Sequence, residues 1–296
     1  MSLHHAVSAL SLGLLSSLAL AIEPARDRDE KAPKEIMVRH LGRDSLGKLV
    51  AESPHFRILH NEDPKKVEKL AREAEKVRPI IHRQWFGDVG IEWDGKCTIY
   101  LHPSRKKYIA KTGQWNALGH SRTLMVGNEV FGRSIHLPCD VPNLYEDVLP
   151  HEISHAVMAV RFRGRTPHWA DEGMAMVAES EATRKQWLSR LPEIRQKDDL
   201  FSLPVLMRTQ ESAQINTVEF YTQSLSLVEF LASKKGRPVF TRFLWDSQVV
   251  GYEPALKKHY GFNSFADLER SWNDYAFPKV TPMPPGPKVN AKPAKD

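Results

Sequence analysis

The sequence predicts an α+β fold, with a small mixed or antiparallel β-sheet, then one apolar helix, then a mostly helical C-terminal lobe. Three observations predict this class. Short segments before residue 140 alternate apolar and polar residues, which is the period of a β-strand. Residues 148–160 are apolar on several sides, as in a buried helix. Most segments after residue 165 place apolar residues at helical spacing.

The N-terminal segment is predicted to be a signal peptide. Residues 1–21 contain no Asp, Glu, Lys or Arg, and their apolar run ends in an Ala-Leu-Ala cleavage pattern at Ala21. The protein is therefore expected to be exported, to the periplasm or outside the cell. An uncleaved anchor is the alternative, because His replaces the usual Lys or Arg before the run. The run is short for a bilayer span, so no stable membrane insertion is expected after cleavage.

Composition divides the rest of the chain into three segments. Residues 22–34 are charged and contain two Pro, which predicts a mobile linker. Residues 35–277 are expected to form the globular domain, with the sheet and the first apolar helix in 35–160 and the helical lobe in 161–277. Residues 278–296 contain six Pro and four Lys, which predicts an extended, disordered tail.

Individual elements follow from alternation, helical spacing and turn residues. Asp63 and Pro64 suit the N-cap and first turn of a long helix that Gly87 ends. Gly132 suits a tight turn between the last two strands. Four strands are predicted at 56–60, 96–102, 123–126 and 134–137. Later helical segments are predicted at 185–199 (broken by Pro192), 221–231, 238–245, 255–259 and 265–277.

The most informative stretch is His151-Glu152-Ile153-Ser154-His155. Residues four apart lie on one face of a helix, so the two imidazoles can supply half of a tetrahedral zinc site. Glu152 then lies beside the open position of the metal, where it can take a proton from an activated water. A chance motif on a solvated helix is the alternative, because the chain has 13 His. The apolar surroundings disfavour it, since buried His and Glu need partners.

A third ligand is predicted downstream of this motif. Gly164 suits the C′ position of the first helix, and Thr166 and Pro167 suit the N-cap and N1 positions of a second helix. An antiparallel return would bring Glu172, early in the second helix, to the third protein position of the zinc site. The alternative is a carboxylate that the helix dipole favours near an N-terminus.

The two stretches together resemble a known family. His151-Glu152-x-x-His155 followed by Pro167-x-Trp169-x-x-Glu172-Gly173-x-Ala175 is similar to the gluzincin metallopeptidases, and within them to the peptidase MA-like group. The resemblance implies a zincin-like fold, Zn²⁺ as the cofactor, His151, His155 and Glu172 as its ligands and Glu152 as the general base. Thermolysin-like enzymes carry an Asp four residues after the ligand Glu. Met176 stands there, so the partner of the ligand His is unassigned.

Two further expectations come from the same resemblance. The helix that starts Tyr221-Thr222-Gln223 is similar to a Tyr-x-Gln helix of the peptidase MA-like group, which makes Tyr221 the candidate donor to the oxyanion. A core Tyr with a local hydrogen bond is the alternative. In resembling enzymes an edge strand before the active-site helix pairs with extended substrate, and residues 122–128 are the candidate. An ordinary hairpin is the alternative there.

Charge and cysteine content exclude some partners and leave one question open. The formal net charge is +6, but Lys and Arg are interleaved with Asp and Glu, and no nucleic-acid motif occurs, so no nucleic-acid partner is expected. Cys97 and Cys139 are the only cysteines. An even pair in an exported protein predicts a disulfide, with two buried thiols as the alternative.

These observations predict a secreted zinc metallopeptidase that acts on a peptide or protein substrate. An endopeptidase is favoured over an aminopeptidase, because the Gly-x-Met-Glu-Asn stretch of the aminopeptidase branch has no match here. The alternatives are an inactive secreted zinc-binding scaffold and a zinc amidohydrolase acting on a non-peptide amide. Intact Glu152 disfavours the scaffold, since a structural site needs no general base. The sequence does not predict the oligomeric state.

Overall fold

A six-stranded mixed sheet occupies the N-terminal half of the computed structural model, which describes residues 35–88, 90, 92–127, 129–210 and 217–278. The strand order is β1-β2-β3-β4-β6-β5, with β3, β4 and β6 mutually parallel and the other pairs antiparallel. The strands are β1 (Arg39–Arg43), β2 (Leu49–Glu52), β3 (Phe56–His60), β4 (Cys97–His102), β5 (His120–Val126) and β6 (Glu129–Pro138).

Eleven α-helices and one π-helical turn are present in the described part of the chain. They are α1 (Pro64–Phe86), α2 (Arg105–Thr112), the π-turn (Leu144–Val148), α3 (Leu149–Arg161), α4 (His168–Val177), α5 (Glu181–Leu188), α6 (Leu191–Gln196), α7 (Leu203–Arg208), α8 (Val218–Lys235), α9 (Arg237–Val250), α10 (Tyr252–Tyr260) and α11 (Phe265–Ala276). The α+β class is confirmed, with a mixed sheet followed by helices. None of these helices is both long and apolar enough to cross a bilayer.

The long helix α1 has the ends that its sequence predicts. The Asp63 side chain accepts a hydrogen bond from the backbone N–H of Lys65, Pro64 lies in the first turn, and Gly87 ends the helix at φ 76°. A left-handed residue at this position suits Gly because no Cβ meets the preceding carbonyl. The buried stripe of α1 packs against β3, α3 and α9 and so joins the sheet to the helices.

The hairpin of β5 and β6 has longer strands than predicted, and its turn lies at a different glycine. β5 and β6 pair from His120 opposite His136 to Val126 opposite Glu129. The turn is at Gly127, with φ 62°, whereas Gly132 lies inside β6 opposite Leu124, so the predicted turn at Gly132 is wrong. β5 is an edge of the sheet, because β6 is its one strand neighbour in the described chain.

The two cysteines are free thiols, so the predicted Cys97–Cys139 disulfide is wrong. Cys97 begins β4 opposite Phe56, whereas Cys139 follows the end of β6, where Leu137 pairs with Leu101. In parallel strands this register separates the two residues by about 20 Å, at about 3.3 Å per residue. A disulfide needs Cα atoms within about 7 Å.

One hydrophobic core joins the sheet to the helical lobe. It contains Ile58 and Ile99 from the sheet, Ile153 from α3, and Leu227 and Trp272 from the later helices. The described residues from Ile36 onward belong to one unit by their contacts. The predicted signal peptide (1–21), the linker (22–34) and all but the first residue of the predicted tail (278–296) lie outside the described residues.

Candidate metal centre

The helix α3 carries the first two predicted ligands. A π-turn from Leu144 to Val148 leads into it, and Pro150 lies in its first turn, where a missing N–H costs no hydrogen bond. His151 and His155 follow one turn apart, and their ring centroids are 4.9 Å from each other. α3 is buried against α1, α4 and the β5–β6 hairpin, so the rings are held by a rigid, packed helix.

The connection from α3 to α4 returns the chain towards these imidazoles. The backbone N–H of Gly164 donates to the carbonyl of Ala159 at 2.8 Å, and Arg163 adopts the left-handed conformation at φ 52°. Both helix boundaries are displaced by one residue from the prediction, since Arg163 rather than Gly164 is the C′ residue and Pro167 rather than Thr166 is the N-cap. α4 therefore begins at His168 and carries Glu172 in its second turn.

His151, His155 and Glu172 converge. The Nε2 atoms of His151 and His155 lie 3.6 and 3.9 Å from Oε2 of Glu172. One donor atom from each of the three residues lies within 4.8 Å of the others. Zinc bonds of about 2.0–2.1 Å in a tetrahedron place neighbouring donors about 3.3 Å apart, so the two measured separations are close to those of a zinc site.

The other imidazole nitrogens are held by two carboxylates that the sequence analysis did not identify. Nδ1 of His151 donates to Oε1 of Glu179 at 2.7 Å, and Nδ1 of His155 donates to Oδ2 of Asp171 at 2.9 Å. A proton held on Nδ1 leaves Nε2 as the nitrogen that faces Glu172, and a metal would bind Nε2 once that atom has lost its proton. Met176, at the position where thermolysin-like enzymes carry an Asp, is buried. The hydrogen bonds to the two imidazoles come instead from Glu179 and Asp171.

Burial and charge shift the ionisation of the three predicted ligands in opposite directions. Burial lowers the pKa of His155, but the carboxylates of Asp171 and Glu172 oppose it and raise the pKa to about 9. Burial also opposes the charge of His151, whose pKa is raised well above its usual range by Glu172 and Glu179. Burial raises the pKa of Glu172, but the two imidazoles outweigh it and hold the pKa at about 2. The centre therefore concentrates negative charge that a cation can neutralise.

Glu152 lies inside the centre without a hydrogen-bonding partner on one oxygen. Its side chain is 5% exposed, and Oε2 is buried without a hydrogen bond. Burial raises its pKa, and the neighbouring charges of His151 and His155 oppose that rise. A buried carboxylate oxygen without a partner is costly, which favours a bound group beside it.

These residues fit a zinc ion. Two imidazole nitrogens and one carboxylate oxygen are donors that zinc accepts, and three protein ligands leave a fourth position for water or substrate. The carboxylates of Asp171 and Glu179 complete the outer hydrogen bonds that zinc-binding His residues commonly make. In the part of the chain that the structure describes, no second group of three such residues comes this close.

The centre opens into a cleft of about 1510 Å³. The edge strand β5 forms one wall, with Ser121, Thr123 and Met125 lining it. Met125 packs close to Gly164, which joins this strand to the α3–α4 turn. The edge strand predicted at 122–128 thus lies beside the centre, although residue 128 is outside the described residues.

Tyr221 lies in the first turns of α8 and lines the same cleft. Its ring is 6.1 Å from that of Trp187 and 6.0 Å from that of Phe220. His168 also lines the cleft and stacks on Phe220 with centroids 4.8 Å apart. The donor role predicted for Tyr221 remains a prediction, as do the roles of the ligands and of Glu152.

No protein-family model matches the sequence, and no curated protein matches it. Among solved structures, the chain is similar to a mutant M1 zinc metallopeptidase from Deinococcus radiodurans bound to a Tyr-Ser-Ala substrate. The identity is 15% and the TM-score is 0.42, over 84% of this chain and 53% of that chain. The chain therefore spans about half the length of that metallopeptidase, and at this TM-score the similarity supports no conclusion about function.

Proposed function

We propose that this protein is a zinc-dependent peptidase of the gluzincin type. The observation that carries the proposal is the convergence of His151, His155 and Glu172 next to the buried carboxylate of Glu152. The centre also lies in an open cleft rather than in a closed core. A purely structural zinc site would close all four positions with protein ligands.

Each residue has a role in the proposed reaction. His151, His155 and Glu172 would hold the ion, which when bound supplies Lewis acidity to a carbonyl and to water. Glu152 takes a proton from the attacking water and delivers it to the leaving amine. The side chain is buried beside His151 and His155, so its carboxylate lies next to the position that the ion would occupy. Tyr221 is the proposed donor to the developing oxyanion.

The cleft suits an extended peptide. Strand β5 is an edge, so it offers backbone N–H and C=O groups for pairing with substrate in β conformation. The cleft exceeds the usual volume of a small-molecule pocket, which is about 300–1,000 Å³. We therefore favour peptide or protein substrates and internal cleavage.

The proposal is tested by two substitutions in the zinc-loaded protein. Glu152→Gln keeps the shape of the side chain but removes its basicity, so we expect full zinc content and hydrolysis reduced by at least about a hundredfold. Glu172→Ala is expected to lower zinc content sharply, because one of three ligands is lost. Zinc analysis and cleavage of denatured casein are the measurements, and Glu253→Gln, at an exposed carboxylate outside the cleft lining, is the matched control.

The outcomes separate this function from the alternatives. Zinc binding without chelator-sensitive cleavage of any peptide would indicate a zinc-binding scaffold. Cleavage of small amides but not of peptides would indicate an amidohydrolase. Full activity of Glu152→Gln would exclude the general-base role, and unchanged zinc stoichiometry in Glu172→Ala would exclude Glu172 as a ligand.

A further inference from the structure

We propose that the substrate of this cleft carries carboxylate groups close to the scissile bond, so that acidic peptides are preferred over neutral and basic ones. The inference rests on the proposed peptidase function and adds a substrate class to it. It follows from the ionisable side chains that line the cleft and from the partners each of them has.

Four of the five carboxylates in the described cleft lining already have partners. Glu179 and Asp171 accept from His151 and His155, and Glu172 faces both imidazoles. Asp147 accepts from the backbone N–H of Ser180 at 2.8 Å and from the hydroxyl of Thr183 at 2.7 Å. Glu152 is the fifth carboxylate; its Oε2 has no hydrogen bond, but the side chain is buried and is assigned to the attacking water in the proposed reaction. The described cleft lining therefore offers no exposed carboxylate without a partner that could attract a basic side chain of a substrate.

The cationic side chains of the cleft are arginines. Four of them line it, namely Arg122, Arg165, Arg190 and Arg208. Arg190 lies over the ring of Trp187 at 4.4 Å and Arg208 over the ring of Phe265 at 5.0 Å. Among described residues, neither arginine forms an ion pair, and Arg122 on the edge strand β5 forms none either, so their charges are available to a ligand.

The choice of arginine favours carboxylate recognition. A guanidinium donates two parallel hydrogen bonds to a carboxylate, which a lysine ammonium cannot match. Stacking on an aromatic ring leaves the guanidinium edge free and restricts its side chain before the ligand arrives. No lysine lines the described cleft. An acidic peptide would therefore meet preorganised arginines on the walls of the cleft that also contains the candidate ion-binding centre.

The test uses three fluorescence-quenched peptides that differ only in the residues flanking the scissile bond, which are Glu, Gln or Lys. We expect kcat/KM for the Glu peptide to exceed that for the Gln peptide by roughly tenfold, the effect of one charge-assisted hydrogen bond. The Lys peptide should be slower still. Peptides with a free or an amidated C-terminus separate side-chain carboxylates from the terminal carboxylate, which has the same chemistry.

Two substitutions locate the effect. Arg190→Gln and Arg208→Gln are each expected to reduce the Glu-to-Gln preference by roughly threefold or more, with a smaller salt dependence. Arg195→Gln is the matched control, because Arg195 lies over Phe277 at the same 4.4 Å but outside the cleft lining. It should leave the preference unchanged. Equal kcat/KM for the Glu and Gln peptides, or a preference that survives both cleft substitutions, would overturn the proposal.

A binding measurement separates this proposal from that of the peptidase. Zinc-loaded Glu152→Gln protein is titrated with the same three peptides, and fluorescence anisotropy reports binding without cleavage. If no peptide is hydrolysed by the unsubstituted protein but the Glu peptide binds roughly tenfold more tightly than the Gln peptide, the peptidase function fails and the charge preference stands. Equal affinities would exclude the charge preference even if hydrolysis is observed.

Discussion

Each imidazole of the metal centre has its own carboxylate on the side away from Glu172. His151 uses Glu179, which lies just beyond the end of α4, and His155 uses Asp171, which lies within α4. In the proposed zinc site both carboxylates would be positioning residues, because they bond to the imidazoles on the side away from Glu172. They would fix the ring orientation and increase the basicity of the nitrogen proposed to bind metal.

Glu179→Gln is expected to weaken zinc binding by about 10–100-fold, the usual effect of losing an outer carboxylate. The amide cannot accept with the same charge, so the His151 ring loses part of its orientation. Competition with a chelator of known affinity measures the change, and far-UV circular dichroism checks that the fold is kept. Asp171→Asn should have an effect of similar size at His155. A zinc affinity within twofold of the unsubstituted protein in both variants would contradict this role.

The sequence alone allowed us to predict those candidate ligands whose spacing along the chain follows from helix geometry. His151 and His155 are one helical turn apart, and Glu172 lies on the following helix, so three groups could be assigned before their distances were known. Asp171 and Glu179 carried no such signal. Asp171 stands next to a ligand and Glu179 follows α4, and their roles depend on ring orientations that a linear pattern does not contain.

At the scale of elements, the position of Glu172 depends on how closely α4 approaches α8. A Cβ on Gly173 would lie 2.5 Å from Cγ2 of Val228 and 2.7 Å from the backbone carbonyl oxygen of Ser224. Real Cβ atoms do not approach this closely, so glycine is required for the observed contact between the helices. The residue next to the third predicted ligand therefore sets the distance between α4 and its support.

Gly173→Ala is expected to destabilise the protein, although alanine favours a helix by about 1 kcal/mol over glycine. Overpacking costs about 1–3 kcal/mol, and the upper end applies here because a backbone oxygen cannot move aside as a flexible side chain can. The net loss of about 2 kcal/mol should lower Tm by roughly 4–8 °C, and zinc content should fall with it. Gly132→Ala, where an added Cβ meets nothing within 4 Å, is the control for space. A Tm equal to that of the unsubstituted protein would show that α4 can shift freely.

Histidines from three neighbouring strands, β4, β5 and β6, stack on one face of the sheet. The His136 ring lies 4.6 Å from that of His120 and 5.4 Å from that of His102, and Nε2 of His102 is 3.2 Å from Nδ1 of His136. Burial lowers the pKa of His136 to about 3 and that of His120 to about 4. The stack is therefore neutral in the folded protein at pH 7, and it ties the edge strand β5 to the centre of the sheet.

The free energy of unfolding should fall as the pH decreases from about 6.5 towards the pKa values of these stacked histidines. Unfolded His takes up a proton near pH 6.5, whereas the folded stack takes one up only near pH 3–4, so the unfolded chain binds more protons between these values. His136→Gln should show a smaller loss of stability between pH 7.5 and pH 5 than the unsubstituted protein. Urea unfolding of both proteins at both pH values, with a chelator present, measures the difference. Equal losses would contradict the assignment.

The elements that sequence predicted are those with strong burial patterns. β3 and α1 alternate or repeat their apolar residues, and both were located closely. β1 was not predicted, because all five of its residues are exposed and backbone pairing with β2 alone defines it. The helix α2 was missed for a similar reason, since Tyr108 is its one buried residue.

At the scale of the whole molecule, one core contains the supports of the metal centre. Residues from the sheet, α3, α4 and α8 belong to the same hydrophobic cluster. A zinc ion bound between α3 and α4, as proposed, would therefore stabilise the folded state as a whole rather than a local segment. The strand order and the register of β4 with β6 could not be predicted, because long-range strand pairing leaves no periodic signal in the sequence. The disulfide prediction was wrong for this reason, since the register of these strands separates Cys97 from Cys139.

Zinc is expected to raise the thermal stability of the metal-free protein. A ligand present at 100 times its Kd adds about 2.7 kcal/mol, which corresponds to roughly 5–10 °C for a domain of this size. Differential scanning fluorimetry with and without a chelator measures the shift. His155→Ala removes a donor, so its Tm should not respond to zinc. An identical response in His155→Ala would place the stabilising ion elsewhere in the protein.

The close approach of α4 to α8 also bears on biosynthesis. The donor atoms and their carboxylate partners are encoded in one short stretch, whereas Ser224 and Val228, on which Gly173 rests, are translated later. A nascent chain on the ribosome therefore possesses every donor before it has the surface that holds Glu172 in place. We expect tight binding of the ion only after the residues of α8 have left the ribosome and can pack against α4.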